Sequence, residues 1–169
     1  MVEWGGNVAG FRRATRVCVV LLGFLLALAG CGGDDGESAG STEGACAYLT
    51  KDDIEGALNG PFAPPRPNES PSGSAVQVCT WYPEAGKDGR GFVQLTVSTF
   101  KGKGRAQLDN QRKITPGAKV IAGVGEGAFA GRFGNNIKVT ALEGDRLVEV
   151  LSVDQQTATE LAKAVLERV

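Results

Sequence analysis

Four cysteines, no histidine and a short cationic stretch set the chemistry open to this 169-residue chain. Without histidine it lacks the commonest general base and the commonest metal ligand. No D-x-D-x-D-G loop, H-E-x-x-H or C-x-x-C occurs, so calcium, zinc and thioredoxin-like redox sites have no motif, and no metal or cofactor is expected. Asp52, Asp53 and Glu55 crowd one helix start, where capping accounts for them. Asp145, Asp154, Glu160 and Glu167 fall in turns, caps or on a wet face. None is spaced as an acid–base pair, which argues against an enzyme. A hydrolase acting on envelope material ranks third among the functions considered. One constellation stands apart. Lys101, Lys103, Arg105, Arg112, Lys113 and Lys119 face only Asp109, a local excess of +5. Such a stretch suits an anionic lipid surface or cell-wall polymer, or serves as a solvated helix face. Arg132 and Lys138 extend it if the fold brings them near.

Two catalytic look-alikes fail on context. Gly123-Val124-Gly125-Glu126-Gly127-Ala128 fits the loose G-x-G-x-x-A dinucleotide fingerprint. That motif needs a helix next, to hold the pyrophosphate, and Gly131, Gly134, Asn135 and Asn136 forbid a long one. A glycine bend joining two strands is the expectation. Ser98-Thr99-Phe100-Lys101 spells S-x-x-K, but the serine ends a predicted strand where that chemistry wants a helix start, and the companion S-D-N and K-T-G elements are missing.

The N-terminal segment explains two of the cysteines. Arg12, Arg13 and Arg16 against Glu3 precede an uncharged apolar run over 17–29. Thirteen residues of helix reach about 20 Å, short of the ~30 Å hydrocarbon core, so the run reads as a signal peptide over 1–30 and not as a stable span. It closes on Leu28-Ala29-Gly30-Cys31, which resembles the lipobox of bacterial lipoproteins. That resemblance implies a diacylglycerol thioether on Cys31 and cleavage before it, with a second acyl chain needed for stable anchoring. Arg12-Arg13 leaves the export route open between the general and twin-arginine pathways. The expected address is the outer, extracytoplasmic face of the cell membrane.

Cleavage removes three arginines and Glu3 and leaves 139 residues with 15 basic against 18 acidic side chains, net −3. Nothing in that balance calls for nucleic acid. Cys18 leaves with the signal and Cys31 is acylated, so Cys46 and Cys79 remain together in an oxidising compartment, where pairing is the default. Two free thiols or an intermolecular bridge are the alternatives. A closed loop of about 34 residues would contribute roughly 3–4 kcal/mol in the chain-entropy view.

Residues 31–45 read as the lipidated cysteine and a flexible Gly/Ser/Asp tether spanning about 20 Å. A single domain follows over 46–169. Thr50 N-caps a helix that places Ile54, Ala57 and Leu58 on one face before Gly60-Pro61 stops it. A proline-rich loop follows over 61–74. Strands are expected over 76–82 and 92–100, then a short helix over 105–113. Three more strands follow, over 119–122 continuing toward 133, over 137–142 and over 147–153, with Asn135-Asn136 and Gly144-Asp145 in the turns between them. Thr157 and Glu160 read as the capping box of a last helix, with Ala158, Leu161, Ala162, Val165, Leu166 and Val169 as its apolar stripe. The sum is an α+β domain: an antiparallel sheet of about five strands, N- and C-terminal amphipathic helices packed on it, and one disulfide.

Cys46-Ala47-Tyr48-Leu49-Thr50, Cys79-Thr80-Trp81 and Gly123-Val124-Gly125-Glu126-Gly127-Ala128-Phe129 stand in that order behind the lipobox. In this the chain resembles a family of uncharacterised actinobacterial surface lipoproteins, and it is similar to the extracellular sensor domain of certain mycobacterial Ser/Thr kinases. The resemblance covers 46–169. It implies a disulfide-bearing α+β sandwich without established enzymatic activity, and it carries over no functional residue beyond the lipidated and paired cysteines. Gly127 departs from the pattern, which usually has a larger residue there. The reading that follows is a non-catalytic ligand-binding or sensor module for an unknown protein or small molecule. A structural adaptor of the envelope is the runner-up.

Overall fold

The computed structural model describes residues 44–68, 75–84 and 91–169. The signal segment, Cys31 and almost all of the tether lie outside the described residues. The domain opens with a 3-10 turn, Gly44–Ala47, that carries Cys46. Helix α1 follows over Lys51–Leu58. Thr50 caps it as the sequence predicts: the Asp53 backbone N–H donates to Thr50 Oγ1 at 3.2 Å, and the Thr50 N–H donates back to Asp53 Oδ2 at 2.7 Å. The chain leaves α1 through Asn59 in the left-handed region (φ 53°), one residue before the expected Gly60.

Seven strands form one antiparallel sheet, against the five expected. They are β1 (Arg66–Pro67), β2 (Val76–Trp81), β3 (Val93–Thr99), β4 (Lys119–Ile121), β5 (Gly127–Phe133), β6 (Asn136–Glu143) and β7 (Arg146–Ser152), in the spatial order β1-β2-β3-β7-β6-β5-β4. Two physical causes account for the extra strands. The run over 119–133 is cut by the glycine bend: Gly123 and Gly125 take φ of 71° and 52°, which reverses the chain and folds β4 back on β5. A side chain at Gly125 would strike the Leu142 carbonyl. The proline-rich loop supplies β1, two residues that pair with Cys79 and Thr80.

Strand alternation splits the side chains between two faces. On the first, Trp81, Val93, Leu95, Val97, Val139, Val148 and Val150 meet Ala158, Leu161, Ala162 and Val165 of α3 (Gln155–Leu166), with Leu49, Ile54 and Phe62 completing the main core. The apolar stripe of α3 is therefore as predicted, but its cap is not. Asp154, not Thr157, is the N-cap: its carboxylate accepts the Thr157 N–H at 2.9 Å and the Thr157 hydroxyl at 2.8 Å.

The second face is covered at one end by α2 (Gly104–Ile114), whose Leu108 packs on Phe129, Leu142 and Leu147. Both ends of α2 need glycine under them. A Cβ at Gly104 would lie 2.8 Å from the Gly144 carbonyl oxygen, and one at Gly131 would run into the Thr115 side chain. Cys46 and Cys79 are bonded, which joins the opening turn to β2.

Candidate functional site

The carboxylates with acid–base potential are engaged in structure. Asp53 accepts two hydrogen bonds from the Arg168 guanidinium, at 2.6 and 3.0 Å, and this pairing holds its carboxyl well below the usual carboxylate range despite the opposing effect of burial. Arg168 is raised in turn by Asp53, and it also donates to the Tyr48 carbonyl at 2.9 Å. Glu55 accepts the Phe62 N–H at 2.8 Å. Asp145 accepts the Gly102 N–H at 2.8 Å, and Glu126 accepts the Gly144 N–H at 3.1 Å. Glu149 pairs with Lys138 at 2.6 Å, both side chains only 17% exposed. Among the described residues, no group of three or more Cys, Asp or Glu side chains could hold a metal ion. The two look-alike motifs resolve as the sequence indicated: the glycine bend runs into β5 rather than a helix, and Ser98 lies inside β3, buried.

The cationic stretch does not form one surface. Arg105 and Arg112 lean on Asp109 from either side, at 3.9 and 3.6 Å, and Arg105 also donates to the Glu126 carbonyl at 3.2 Å. Lys101 and Lys103 lie at the start of α2 and Lys113 near its end, about 15 Å along the helix axis from Lys103. Lys119 stands elsewhere. It opens β4 and points to the face opposite α2, because it pairs in register with Ala130 of the core face.

There Lys119 joins Arg132. The two line a cavity of about 410 Å³ with Pro116, Gly117, Ala130, Gly131, Ile137 and Gln155. Four segments position it: the turn after α2, β4, the β5–β6 pair, and the first residue of α3. The β4–β5 pairing stops at Ala130 while β5 runs on to Phe133, so Arg132 lies beyond the paired length of β4, beside the turn after α2. Arg132 lies two residues beyond Ala130, so Lys119 and Arg132 are diagonal neighbours on one face. No carboxylate pairs with either among the described residues. Asp154, the residue before Gln155, accepts hydrogen bonds from Thr157 and makes no ion pair with either cation. Ser152, fully buried with its hydroxyl unpartnered among the described residues, is the register partner of Ile137.

A smaller cavity of about 220 Å³ lies on the helix-free part of the other face, lined by Gln94, Thr96, Phe133, Lys138, Glu149 and Leu151. Its charges cancel internally, and the Lys138 ammonium also sits 5.9 Å from the Phe133 ring centroid. Lys138 therefore does not extend the cationic group, whereas Arg132 lines the same cavity as Lys119. Sequence reasoning had both cations in hand. What it lacked was the strand register that sets them side by side.

No family model matches the chain, and no curated protein matches it. Among solved structures, a GTP-binding regulator from Thermotoga maritima aligns over 69% of this chain and 84% of its own, at 15% identity and a TM-score of 0.43. No helix among the described residues is long and apolar enough to cross a membrane.

Proposed function

We propose that this chain is a membrane-anchored extracytoplasmic lipoprotein of the actinobacterial surface type, and that its folded domain is a non-catalytic ligand-binding module. The observation that carries the reading is the contrast in side-chain use. The carboxylates named above are spent on caps, turns and ion pairs, while Lys119 and Arg132 stand without an acidic partner on the wall of a mainly apolar cavity. A volume near 410 Å³ falls in the range of small-molecule sites.

Two measurements test the reading. Cys31→Ser should move the protein from the detergent phase to the aqueous phase, or leave it uncleaved. A thermal-shift panel of small anions, sugars and peptides should contain compounds that stabilise the chain, with the shift lost in Lys119→Ala/Arg132→Ala. A panel without such a compound counts against ligand binding. The adaptor reading draws on a separate observation: Ile114, Val120 and Phe133 are 76%, 68% and 60% exposed at the end of α2, on β4 and at the end of β5. Crosslinking in cells that joins these positions to another envelope protein would favour it.

A further inference from the structure

We infer that the cavity beside β4 takes a phosphate-bearing amphiphile, with the phosphate between Lys119 and Arg132 and the apolar chain along Pro116, Ala130 and Ile137. This rests on the ligand-binding reading above and gives it a chemical class. Three observations lead there.

The first is the placement of charge. Lys119 and Ala130 are register partners, and Arg132 is the next same-face residue on β5 after Ala130. Like charges at such neighbouring positions repel, and here no carboxylate among the described residues relieves them. Arg105 and Arg112 share Asp109, Lys138 has Glu149 and Arg168 has Asp53, while Lys101, Lys103 and Lys113, like Lys119 and Arg132, make no ion pair among the described residues; what sets Lys119 and Arg132 apart is that both line one cavity. An anion between Lys119 and Arg132 would relieve the repulsion.

The second is the chemistry of the pair. Arginine offers a planar fork of donors that matches phosphate or carboxylate oxygens, and lysine adds a compact second charge. Two cations match a dianionic phosphate monoester better than a single carboxylate.

The third is the wall. Pro116, Gly117, Ala130, Gly131 and Ile137 give the anion's remainder an apolar surface, and the volume far exceeds one phosphate group. No aromatic ring lines the cavity, so a stacked nucleobase or a sugar ring lacks its platform. An aliphatic chain needs none.

The test uses the full chain reconstituted in phosphatidylcholine vesicles, with protein-free vesicles as the blank. Hexyl phosphate, inorganic phosphate and hexanol are titrated in turn by equilibrium dialysis. Hexyl phosphate should bind at least about tenfold more tightly than either half-ligand, and binding should weaken as salt rises. Lys119→Ala/Arg132→Ala should lower its affinity at least about tenfold at unchanged melting temperature, because exposed charges contribute little to folding. Lys101→Ala/Lys103→Ala, which alters only the distant cationic stretch, should bind as the parent does. Adding phosphatidic acid to the vesicles separates the sources: competition with hexyl phosphate assigns a lipid headgroup, and its absence assigns a soluble phosphate ester. Hexyl phosphate uptake that matches the blank, or that survives Lys119→Ala/Arg132→Ala, overturns the inference. If another member of the small-molecule panel still stabilises the parent and not that double variant, only the phosphate class falls. If none does, the ligand-binding reading falls with it.

Discussion

At one edge of the sheet, β1 is two residues long, ends in Pro67 and is backed by the bonded opening turn; at the other, β4 is three residues long and carries exposed Lys119 and Val120. The first edge is closed several times over. Proline removes a donor from β1 and blunts it for further pairing. Phe62, fully buried, bridges to Pro83, and its N–H is held by Glu55. Arg66 lies 5.6 Å from the Tyr82 ring centroid. Among the described residues the second edge has no such bond or buried aromatic. β5 outruns β4, two cations sit together, and Val120 is 68% exposed. The disulfide and the buried Phe62 lie toward the first edge, and the two cations that line the larger cavity lie at the second.

Four substitutions can break or sharpen that contrast. Phe62→Ala should have the largest effect, lowering stability by about 3–5 kcal/mol, because it leaves a cavity in a fully buried site. Denaturant unfolding measures it. An effect below about 1 kcal/mol would mean that the closed edge contributes little.

Cys79→Ala should follow at about 2–4 kcal/mol, since the bond spans 33 residues of sequence. Both cysteines are buried, so the intact protein should also resist maleimide until it is reduced and unfolded.

Asp53→Asn should come third, near 1 kcal/mol, because the Arg168 pair is partly exposed and solvent screens it. Its pH dependence gives the sign. A carboxyl held below its ordinary range contributes stability above pH ~4, and that contribution is lost as pH falls toward the lowered value. The gap between parent and Asp53→Asn should therefore narrow below pH ~4. A gap that stays constant down to pH 2 would show that Arg168 does not distinguish the two.

Lys119→Glu should be the smallest and of opposite sign, a gain of a few tenths of a kcal/mol, as a repelling neighbour of Arg132 becomes an attracting one. A clear loss of stability would show that Lys119 has a structural duty at the open edge.

The closed edge was partly legible in the sequence and the open one hardly at all. Thr50 and Asp53 announce the start of α1 because capping is a local interaction over three residues, and Cys46 and Cys79 were the only pair left to bond. At α3 the same local logic chose the wrong residue. Thr157 and Glu160 match the capping-box pattern, but Asp154, also a favoured N-cap residue, stands three residues before Thr157, and its carboxylate is the acceptor that is used. β1 could not be foreseen, since nothing in Arg66-Pro67 favours a strand apart from the neighbour it meets. The cavity was hidden for a related reason. Lys119 was grouped with the cations nearest in sequence, whereas its partner Arg132 lies 13 residues on, beyond a bend whose tightness only the fold reveals. Periodicity reports which residues face inward. It says nothing of which strand end outlasts its neighbour.

The position of the Cys46–Cys79 bond also has a mechanical meaning. Tension applied to the chain ahead of Cys46 passes through the bonded sulfurs directly into β2, within the hydrogen-bonded sheet. The segment between the two cysteines, which includes α1 and β1, is left slack as a covalent side loop. A pull from the N-terminal side would therefore reach the sheet without first peeling away the helix that Arg168 clasps, and reduction of one bond would shift the strain onto that clasp.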